Sequence, residues 1–283
     1  MIIFKTAGQL SRFLNKKKKK QSKIGFVPTM GALHQGHLAL LNKSLEQNEI
    51  TVFSIFVNPS QFNDPEDFKK YPVTVEKDIQ LIESSGCDVL FLPNVSEIYP
   101  GGTGSSKKYE LGFLETVLEG KFRPGHFQGV CQVVHRLLDI VMPGTLYIGQ
   151  KDFQQCRVIK KLMTLINLDK KIQVNIVPTV REEDGLAMSS RNLRLNNTAR
   201  LKATEISKAL RKIKLNIKPE NTQQLINESI LKLESHGIKI DYVEIVNAET
   251  LDVLLNWDGK QKAVVLAAVF IEGVRLIDNE LIN

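Results

Sequence analysis

The residues best suited to chemistry in this chain are two histidines, His34 and His37, in a loop that also carries two glycines. The loop follows the apolar run Ile24–Val27 and a proline, and an apolar-periodic segment begins at Leu38. This pattern predicts a strand, a tight turn and the first turn of a helix. Glycines let the backbone approach a ligand, and a helix N-terminus offers N–H groups to an anion. The segment therefore indicates a phosphate site faced by both imidazoles.

Two other interpretations of the histidines remain open at this point. They could form part of a zinc site, although no carboxylate or cysteine lies nearby in the chain to complete one. They could also serve only to cap the helix, since the spacing alone does not exclude a structural role.

A second polar loop, Gly185–Asn192, contains Met-Ser-Ser-Arg. Its hydroxyls, its backbone N–H groups and the guanidinium of Arg191 are donors that suit a polyphosphate. A third segment, Tyr147–Gln155, again has the pattern of a strand, a glycine turn and a helix start. There Lys151 can reach a phosphate and Asp152 can cap the helix or accept from ribose hydroxyls. Each loop alone is also compatible with a surface turn, or with a surface ion pair of little energetic value.

Neutral and cationic side chains complete the set of candidates. Gln61, in the Asn58–Phe62 loop, suits hydrogen bonding to a substrate better than proton transfer. Arg123 and His126 precede a long apolar helix and either bind an anion or define the helix entry. The sequence shows no triad-like pattern that would identify a covalent nucleophile. We therefore expect catalysis by positioning and charge stabilisation.

Strand-like and helix-like segments alternate along the first part of the chain, which predicts βαβ crossovers and a parallel sheet covered on both faces. In such sheets a ligand binds at the carboxyl ends of the strands, where the strand order reverses. The predicted strands are Ile24–Val27, Thr51–Val57, Val89–Leu92, Leu146–Ile148 and Ile172–Val177. The predicted helices are Gly36–Gln47, Val73–Ser84, Gln128–Val141 and Phe153–Ile166.

The pattern changes after about Val180, where two amphipathic helices precede three strand-like stretches. These helices are Thr198–Lys214 and Asn221–Ser235, and the strands are Ile240–Val246, Lys262–Phe270 and Val274–Asp278. We predict an α/β protein with a Rossmann-like nucleotide-binding domain, residues 1–180, and a smaller α+β domain, residues 181–283, that closes over the active site.

Composition excludes several classes of protein. The chain has 283 residues, 42% of them hydrophobic and 24% charged, as in an ordinary soluble protein. No apolar run approaches the ~20 residues that span a bilayer, and the N-terminus lacks the order of a signal peptide. The three cysteines form neither a disulfide framework nor a zinc knuckle. We therefore predict a cytoplasmic protein with buried cysteines, no metal site formed by its own side chains and no membrane partner.

The net charge of +7 raises the question of a nucleic-acid partner. Six positive charges come from Lys16–Lys20 and Lys23, which we place in a solvated loop between a short first helix and the first core strand. A nucleic-acid footprint spreads over a face of the fold, with aromatic residues interleaved for single strands. The pattern therefore predicts no nucleic-acid partner.

Taken together, the motifs resemble those of the pantothenate synthetase (pantoate–β-alanine ligase) family. Five segments occur in register across residues 24–192: Pro28–His37, Phe56–Phe62, Leu118–Phe127, Gly149–Gln155 and Met188–Asn192. The sequence departs from the family pattern at Val73, where arginine is usual, and at Gln150, where glutamate is frequent. The resemblance implies a homodimer that condenses pantoate with β-alanine. ATP and pantoate first give a pantoyl adenylate and pyrophosphate, with Mg²⁺ on the phosphates, and β-alanine then gives pantothenate and AMP.

The resemblance also implies roles for individual residues. His34, His37 and Lys151 would be catalytic, with His37 donating a hydrogen bond to the departing pyrophosphate. Val180 would contact adenine through its backbone. The ATP site would comprise Met30, Gly31, Ala32, Leu33, His34, Gln35, Gly36, His37, Gly149, Gln150, Lys151, Asp152, Val180, Met188, Ser189, Ser190 and Arg191. The pantoate and β-alanine site would comprise Gln61, Gln155, Asn58 and Arg123.

Two rival hypotheses stay open on the sequence alone. A nucleotidyltransferase of the same superfamily, which shares the histidine and Met-Ser-Ser-Arg loops, would release pyrophosphate with another acceptor; the paired Gln61 and Gln155 argue against it. An RNA-binding module would retain RNA through the lysine run in a salt-sensitive way. No anticodon-type domain follows the Met-Ser-Ser-Arg loop to support it.

Overall fold

The computed structural model describes residues 1–103 and 107–283. The chain forms two compact units. The first contains residues 1–150 and 155–178, and the second contains residues 151–154 and 179–283. Each unit has its own hydrophobic core.

The first unit is built on a six-stranded sheet in which every pair of neighbouring strands is parallel. The strands are β1 (Ile2–Phe4), β2 (Ile24–Thr29), β3 (Ile50–Ile55), β4 (Val89–Phe91), β5 (Thr145–Gly149) and β6 (Gln173–Val177). The helices are α1 (Ala7–Lys18), α2 (Gln35–Gln47), α3 (Pro65–Lys69), α4 (Val75–Ser84), α5 (Val95–Ile98), α6 (Glu119–Phe122), α7 (His126–Val141) and α8 (Phe153–Leu165). The predicted parallel α/β architecture is confirmed.

The sheet is buried on both faces because β2 and β3 carry apolar side chains at successive positions. Phe26 and Val52 pack into one core cluster, while Val27 and Phe53 pack into another on the opposite face. Gly25 lets α2 approach β2, since a Cβ there would overlap the Ser44 side chain. This close approach joins the start of β2 to the C-terminal half of α2.

The strand order β1-β4-β3-β2-β5-β6 places a reversal beside β2. From β2 the chain adds β3 and β4 on one side and later β5 and β6 on the other. The loops after β2 and β5 therefore diverge and leave a crevice at the carboxyl ends of these strands, the usual ligand position in such sheets. The histidine loop lies at this edge of the sheet.

The second unit contains α9 (Asn197–Asn216) and α10 (Thr222–Ser235) with β7 (Lys239–Asn247), β8 (Ala263–Ile271) and β9 (Val274–Leu281). These strands form an antiparallel sheet in the order β7-β8-β9. The turn between β8 and β9 has positive φ at Glu272 (49°) and Gly273 (77°), as a tight hairpin requires. The predicted smaller α+β unit is confirmed.

The predicted strands and helices are all present, and their ends shift by at most three residues. The prediction for the lysine run was wrong in part, because α1 continues through Lys18. The Lys18 ammonium donates to the Val141 carbonyl (2.8 Å), and Lys17 lies over the Phe13 ring. Burial lowers the pKa of Lys18. Basic side chains in the last turn of a helix are also favoured by its dipole, which the loop prediction overlooked.

The first strand and the end of β2 also differ from expectation. β1 is a short edge strand that the sequence analysis missed, and its first two residues, Ile2 and Ile3, are exposed. β2 does not end before Pro28 but continues to Thr29, with Pro28 in register with Ser54 of β3. Among the described residues, no helix has the length and apolar character needed to cross a membrane.

Candidate active site

The histidine loop leaves β2 through two residues in the left-handed region, Gly31 (φ 82°) and Ala32 (φ 49°). The Asp78 carboxylate of α4 holds this turn: one oxygen accepts the Ala32 N–H (2.8 Å) and the other accepts the Leu33 N–H (2.9 Å). Thr74 donates its hydroxyl to the second oxygen (3.0 Å). A Cβ at Gly31 would lie 3.0 Å from Asp78, so both conformation and space favour glycine.

The two histidines begin α2 as a reciprocal capping box. Nδ1 of His34, the N-cap residue, accepts the Gly36 N–H (3.2 Å), and Nδ1 of His37 accepts the His34 N–H (3.3 Å). The ring centroids are 4.0 Å apart. The helix-capping interpretation of the two histidines is therefore confirmed. It is compatible with ligand binding, because each cap uses only Nδ1.

The loop after β3 is held by Asn58, whose side chain is almost completely buried. Its carbonyl oxygen accepts from the Tyr99 hydroxyl (2.8 Å), and its amide donates to the Gly129 carbonyl (3.1 Å) and to Oε1 of Gln61 (3.2 Å). The Gln61 amide in turn lies 2.8 Å from the Met30 sulfur at the start of the histidine loop. Asn58 thus orients Gln61, and Gln61 adjoins the predicted phosphate loop.

His126 connects Arg123 to the same turn. Its Nδ1 lies 2.7 Å from the Gln61 carbonyl, which can only accept, so Nδ1 carries the hydrogen. Its Nε2 then carries no hydrogen in the neutral ring and accepts from the Arg123 guanidinium (3.1 Å). Glu119 lies 3.8 Å from the same guanidinium nitrogen. The network connects the Arg123 guanidinium to the backbone of Gln61, which the sequence predicts to bind substrate.

The end of β5 brings further predicted residues to this edge of the first unit. Gly149 is the last residue of β5, and the Gln150 N–H donates to the Val177 carbonyl at the end of β6 (2.8 Å). Gln155 lies in the first turn of α8, and Cys156 donates its thiol to the Gly149 carbonyl (3.3 Å). Since neighbouring parallel strands end at one edge, the loops after β2, β3 and β5 lie on one side of the sheet.

In the second unit, Lys151 is mostly buried and its ammonium lies 3.9 Å from Asp152, which is half-exposed. Asn279 of β9, almost completely buried, donates its amide to the Lys151 carbonyl (2.9 Å). The backbone position of the predicted phosphate-binding lysine is therefore set by a residue 128 positions away in the chain.

The Met-Ser-Ser-Arg loop follows a short hairpin. The Val180 carbonyl accepts the Met188 N–H (3.0 Å), and the turn ends at Gly185 with φ 87°. Ser189 then caps a 3₁₀ helix by accepting the Arg191 N–H (3.3 Å). These bonds define the fold of this segment.

Arg181 holds this hairpin in place. Its guanidinium forms a two-pronged pair with the Asp278 carboxylate (2.7 and 3.1 Å) and also donates to Glu280 (3.1 Å). It donates in addition to the Gly185 carbonyl (3.2 Å). Asp278 is 4% exposed, and its burial raises the pKa of the carboxyl while Arg181 opposes the shift. β9 thus supports both the hairpin and Lys151.

Sequence reasoning missed the residues that hold the loops: Asp78, Tyr99, Arg181, Asp278 and Asn279. Asp78 accepts from residues 45 and 46 positions earlier, so no local pattern indicates its role. His126 was noticed beside Arg123 but was not included among the site residues.

The cysteines are buried, as predicted. Burial raises the pKa of the Cys87 and Cys131 thiols to about 12, which leaves neither as a thiolate nucleophile at neutral pH. Within residues 1–103 and 107–283, no group of three or more His, Cys, Asp or Glu side chains is arranged to hold a metal ion.

Comparison with known proteins gives one consistent result. Residues 2–281 match a family model described as pantoate-beta-alanine ligase. The pantothenate synthetase of Cytophaga hutchinsonii is 44% identical over 286 residues, covering 100% of this chain and 99% of that protein.

Solved structures that are similar to this chain carry the same family names. The crystal structure of pantothenate synthetase from Thermus thermophilus has a TM-score of 0.87 and 39% identity, covering 100% of this chain and 99% of that chain. Pantoate-beta-alanine ligase from Francisella tularensis, described as complexed with beta-gamma ATP and beta-alanine, has a TM-score of 0.84 and 39% identity, covering 100% of this chain and 98% of that chain.

Proposed function

Since the chain belongs to the pantoate–β-alanine ligase family and is a ligase that joins these two substrates with ATP, we propose that it does so through a pantoyl adenylate. The pantoate carboxylate attacks the α-phosphorus of ATP and pyrophosphate leaves with the bond's electron pair. The β-alanine amine then attacks the acyl carbon and AMP leaves, giving pantothenate. Activation is necessary because a free carboxylate has no adequate leaving group for an amine.

The observation that carries this proposal is the arrangement at the carboxyl edge of the first sheet. Two imidazoles begin α2 directly after β2, and Gln61 adjoins the same loop through Met30. The donors there are neutral or cationic, and the Cys156 thiol beside them donates to the Gly149 carbonyl (3.3 Å). Such a set stabilises charge on phosphates and orients a substrate, while the substrate's own carboxylate is the nucleophile.

We assign the residues as follows. Met30–His37, Gly149 and Gln150 bind ATP from the first unit, and Gln61, Gln155 and Arg123 bind pantoate, with Gln61 also meeting β-alanine. Asn58 orients Gln61 through the hydrogen bond from its amide to the Gln61 Oε1. In the second unit, Lys151, Asp152, Val180 and Met188–Arg191 are assigned to the nucleotide and its phosphates. Closure of the second unit during the reaction is part of the same proposal.

Mg²⁺ is proposed to bind through the ATP phosphates. Mg²⁺ keeps several waters and uses few protein carboxylates when phosphates are present. The carboxylate beside the histidine loop, Asp78, already accepts two backbone N–H groups and a hydroxyl. This favours coordination by the phosphates over a protein cage.

The deciding experiment measures AMP and pyrophosphate with each substrate omitted in turn. We expect pyrophosphate from ATP and pantoate alone, limited to about one equivalent per active site while the adenylate stays bound, and continuous AMP with pantothenate once β-alanine is added. Incorporation of ¹⁸O from pantoate carboxylate into AMP checks the adenylate. Pantothenate made with ADP and phosphate in place of AMP would contradict the proposal.

Gly129 provides a second test, in the pantoate site. A Cβ at this position of α7 would overlap the Ser60 carbonyl and lie 2.7 Å from the Gln61 Cα. We expect Gly129→Ala to displace the Gln61 turn and lower kcat/KM for pantoate roughly 100-fold, the effect of misplacing a substrate group by about 1 Å.

Gly8→Ala is the matched control, because a Cβ there meets nothing within 4 Å and the residue lies in α1. Its kcat/KM should equal that of the parent protein. A Gly129→Ala variant that is folded by circular dichroism and keeps its pantoate kinetics would refute the assignment of Gln61.

We also propose a cytoplasmic homodimer, on the basis of the family membership. Buried free cysteines fit a reducing compartment. Light scattering should give twice the 31.9 kDa mass of the chain.

A further inference from the structure

Four backbone N–H groups of the histidine loop already have acceptors within the protein. Asp78 takes those of Ala32 and Leu33, the His34 ring takes that of Gly36, and the His37 ring takes that of His34. A loop that binds phosphate through its main chain needs these groups available. In this loop the side chains are therefore the donors better suited to phosphate.

The capping box also determines which ring nitrogen carries hydrogen. A nitrogen that accepts a hydrogen bond bears no hydrogen, and a neutral imidazole has one N–H. Because Nδ1 accepts in both His34 and His37, each neutral ring carries its hydrogen on Nε2. His126 has the opposite arrangement, since its Nδ1 must donate to the Gln61 carbonyl.

The Asp78 carboxylate suits its two backbone partners better than an amide side chain would. Its two oxygens accept from two successive N–H groups, whereas an amide side chain has one oxygen and would present its own N–H₂ to the other. Ala32 is held in a left-handed conformation that costs energy for a residue with a Cβ. A carboxylate at residue 78 therefore maintains the turn that carries the histidines.

We propose that Asp78 is the positioning residue that keeps the histidine loop in the required turn, and that the capping box fixes His34 and His37 as neutral imidazoles with their hydrogen on Nε2, the form in which they would meet the ATP phosphates. This inference rests on the proposed function for the identity of the anion. The tautomers themselves are a property of the protein without ATP.

The first experiment reads the tautomers directly. In ¹⁵N-histidine-labelled protein at neutral pH, two-bond ¹H–¹⁵N spectra distinguish Nε2–H from Nδ1–H rings, and single substitutions assign the five histidines. We expect Nε2–H for His34 and His37 and Nδ1–H for His126. An Nδ1–H ring at position 34 or 37 would overturn the proposal, whether or not the protein makes pantothenate.

The second experiment tests Asp78. We expect Asp78→Asn to raise KM for ATP about tenfold or more and to broaden or shift the Nε2–H resonances of His34 and His37, because one loop N–H loses its acceptor. KM for β-alanine should change little. The control is Asp88→Asn, which also removes a carboxylate that accepts a backbone N–H, that of Thr51 (2.8 Å), at the opposite edge of the sheet.

The possible outcomes distinguish the roles of Asp78 and of the histidine tautomers from the proposed function. Unchanged ATP kinetics and unchanged histidine resonances in Asp78→Asn would exclude the positioning role. If the variant does not fold, the tautomers of the parent protein still decide the first half of the proposal. A parent protein with the expected tautomers but no pantoate-dependent AMP would refute the proposed function alone.

Discussion

The His37→Gln variant is expected to lose about 100- to 1,000-fold in kcat, the usual cost of removing one donor to charge that develops in a transition state. Glutamine is a normal residue at the third position of a capping box, so its side chain can still accept the His34 N–H. It cannot reproduce the Nε2–H of the ring. The substitution therefore separates the proposed catalytic donor from the helix cap.

The measurement combines steady-state kinetics with urea unfolding. His37→Gln should unfold at nearly the same urea concentration as the parent protein, whereas His37→Ala, which loses the cap as well, should be less stable by about 1 kcal/mol. His135→Gln is the control, since His135 lies on α7 and bonds to the Tyr109 hydroxyl (2.6 Å). A His37→Gln enzyme with kcat near that of His135→Gln would disprove the assigned role.

The largest effect on stability is expected from Arg181→Met, which should lower the free energy of unfolding by about 3–5 kcal/mol at neutral pH. The variant leaves the Asp278 carboxylate, 4% exposed, without its two-pronged guanidinium partner. The Gly185 carbonyl of the hairpin also loses a donor. Because the hairpin leads into the Met-Ser-Ser-Arg loop, KM for ATP should rise as well.

The penalty should depend on pH in a defined direction. Burial already raises the pKa of Asp278, and removal of Arg181 takes away the group that opposes this shift. The folded variant then holds a proton up to a higher pH than the unfolded chain does, so its stability falls as pH rises through the folded-state pKa. The deficit relative to the parent protein should therefore shrink as pH is lowered from neutral.

Urea unfolding at a series of pH values checks both the size and the direction. The control is Lys212→Met, which removes an exposed ion pair with Glu228 in the same unit and should have little effect at any pH. A penalty for Arg181→Met that matched the control, or that grew in acid, would show that Asp278 is not a buried unpaired charge in the variant.

Local sequence determined most of the secondary structure of this protein. The apolar runs that became β2 and β3 are buried on both faces of the sheet, as continuous hydrophobic strands of a parallel sheet should be. The start of α2 was predictable to within one residue because glycine, histidine and the following apolar period are neighbours in the chain. The errors concerned an edge strand and a helix end. β1 is short and exposed, and Lys16–Lys18 form the last turn of α1, whose dipole favours basic side chains.

Only the tertiary structure decided how the candidate site is held. Asp78 meets Ala32 across 46 positions, Asn58 meets Gly129 across 71, and Asn279 meets Lys151 across 128. The residue types proposed to bind phosphate and substrate follow from short motifs, since periodicity, glycine conformation and helix capping act over a few residues. The acceptor of the Ala32 and Leu33 N–H groups, the Asp78 carboxylate, depends instead on the packing of distant elements. That packing supplies the acceptor of these two loop N–H groups, and it holds the turn in which the capping box places the hydrogen of both imidazoles on Nε2.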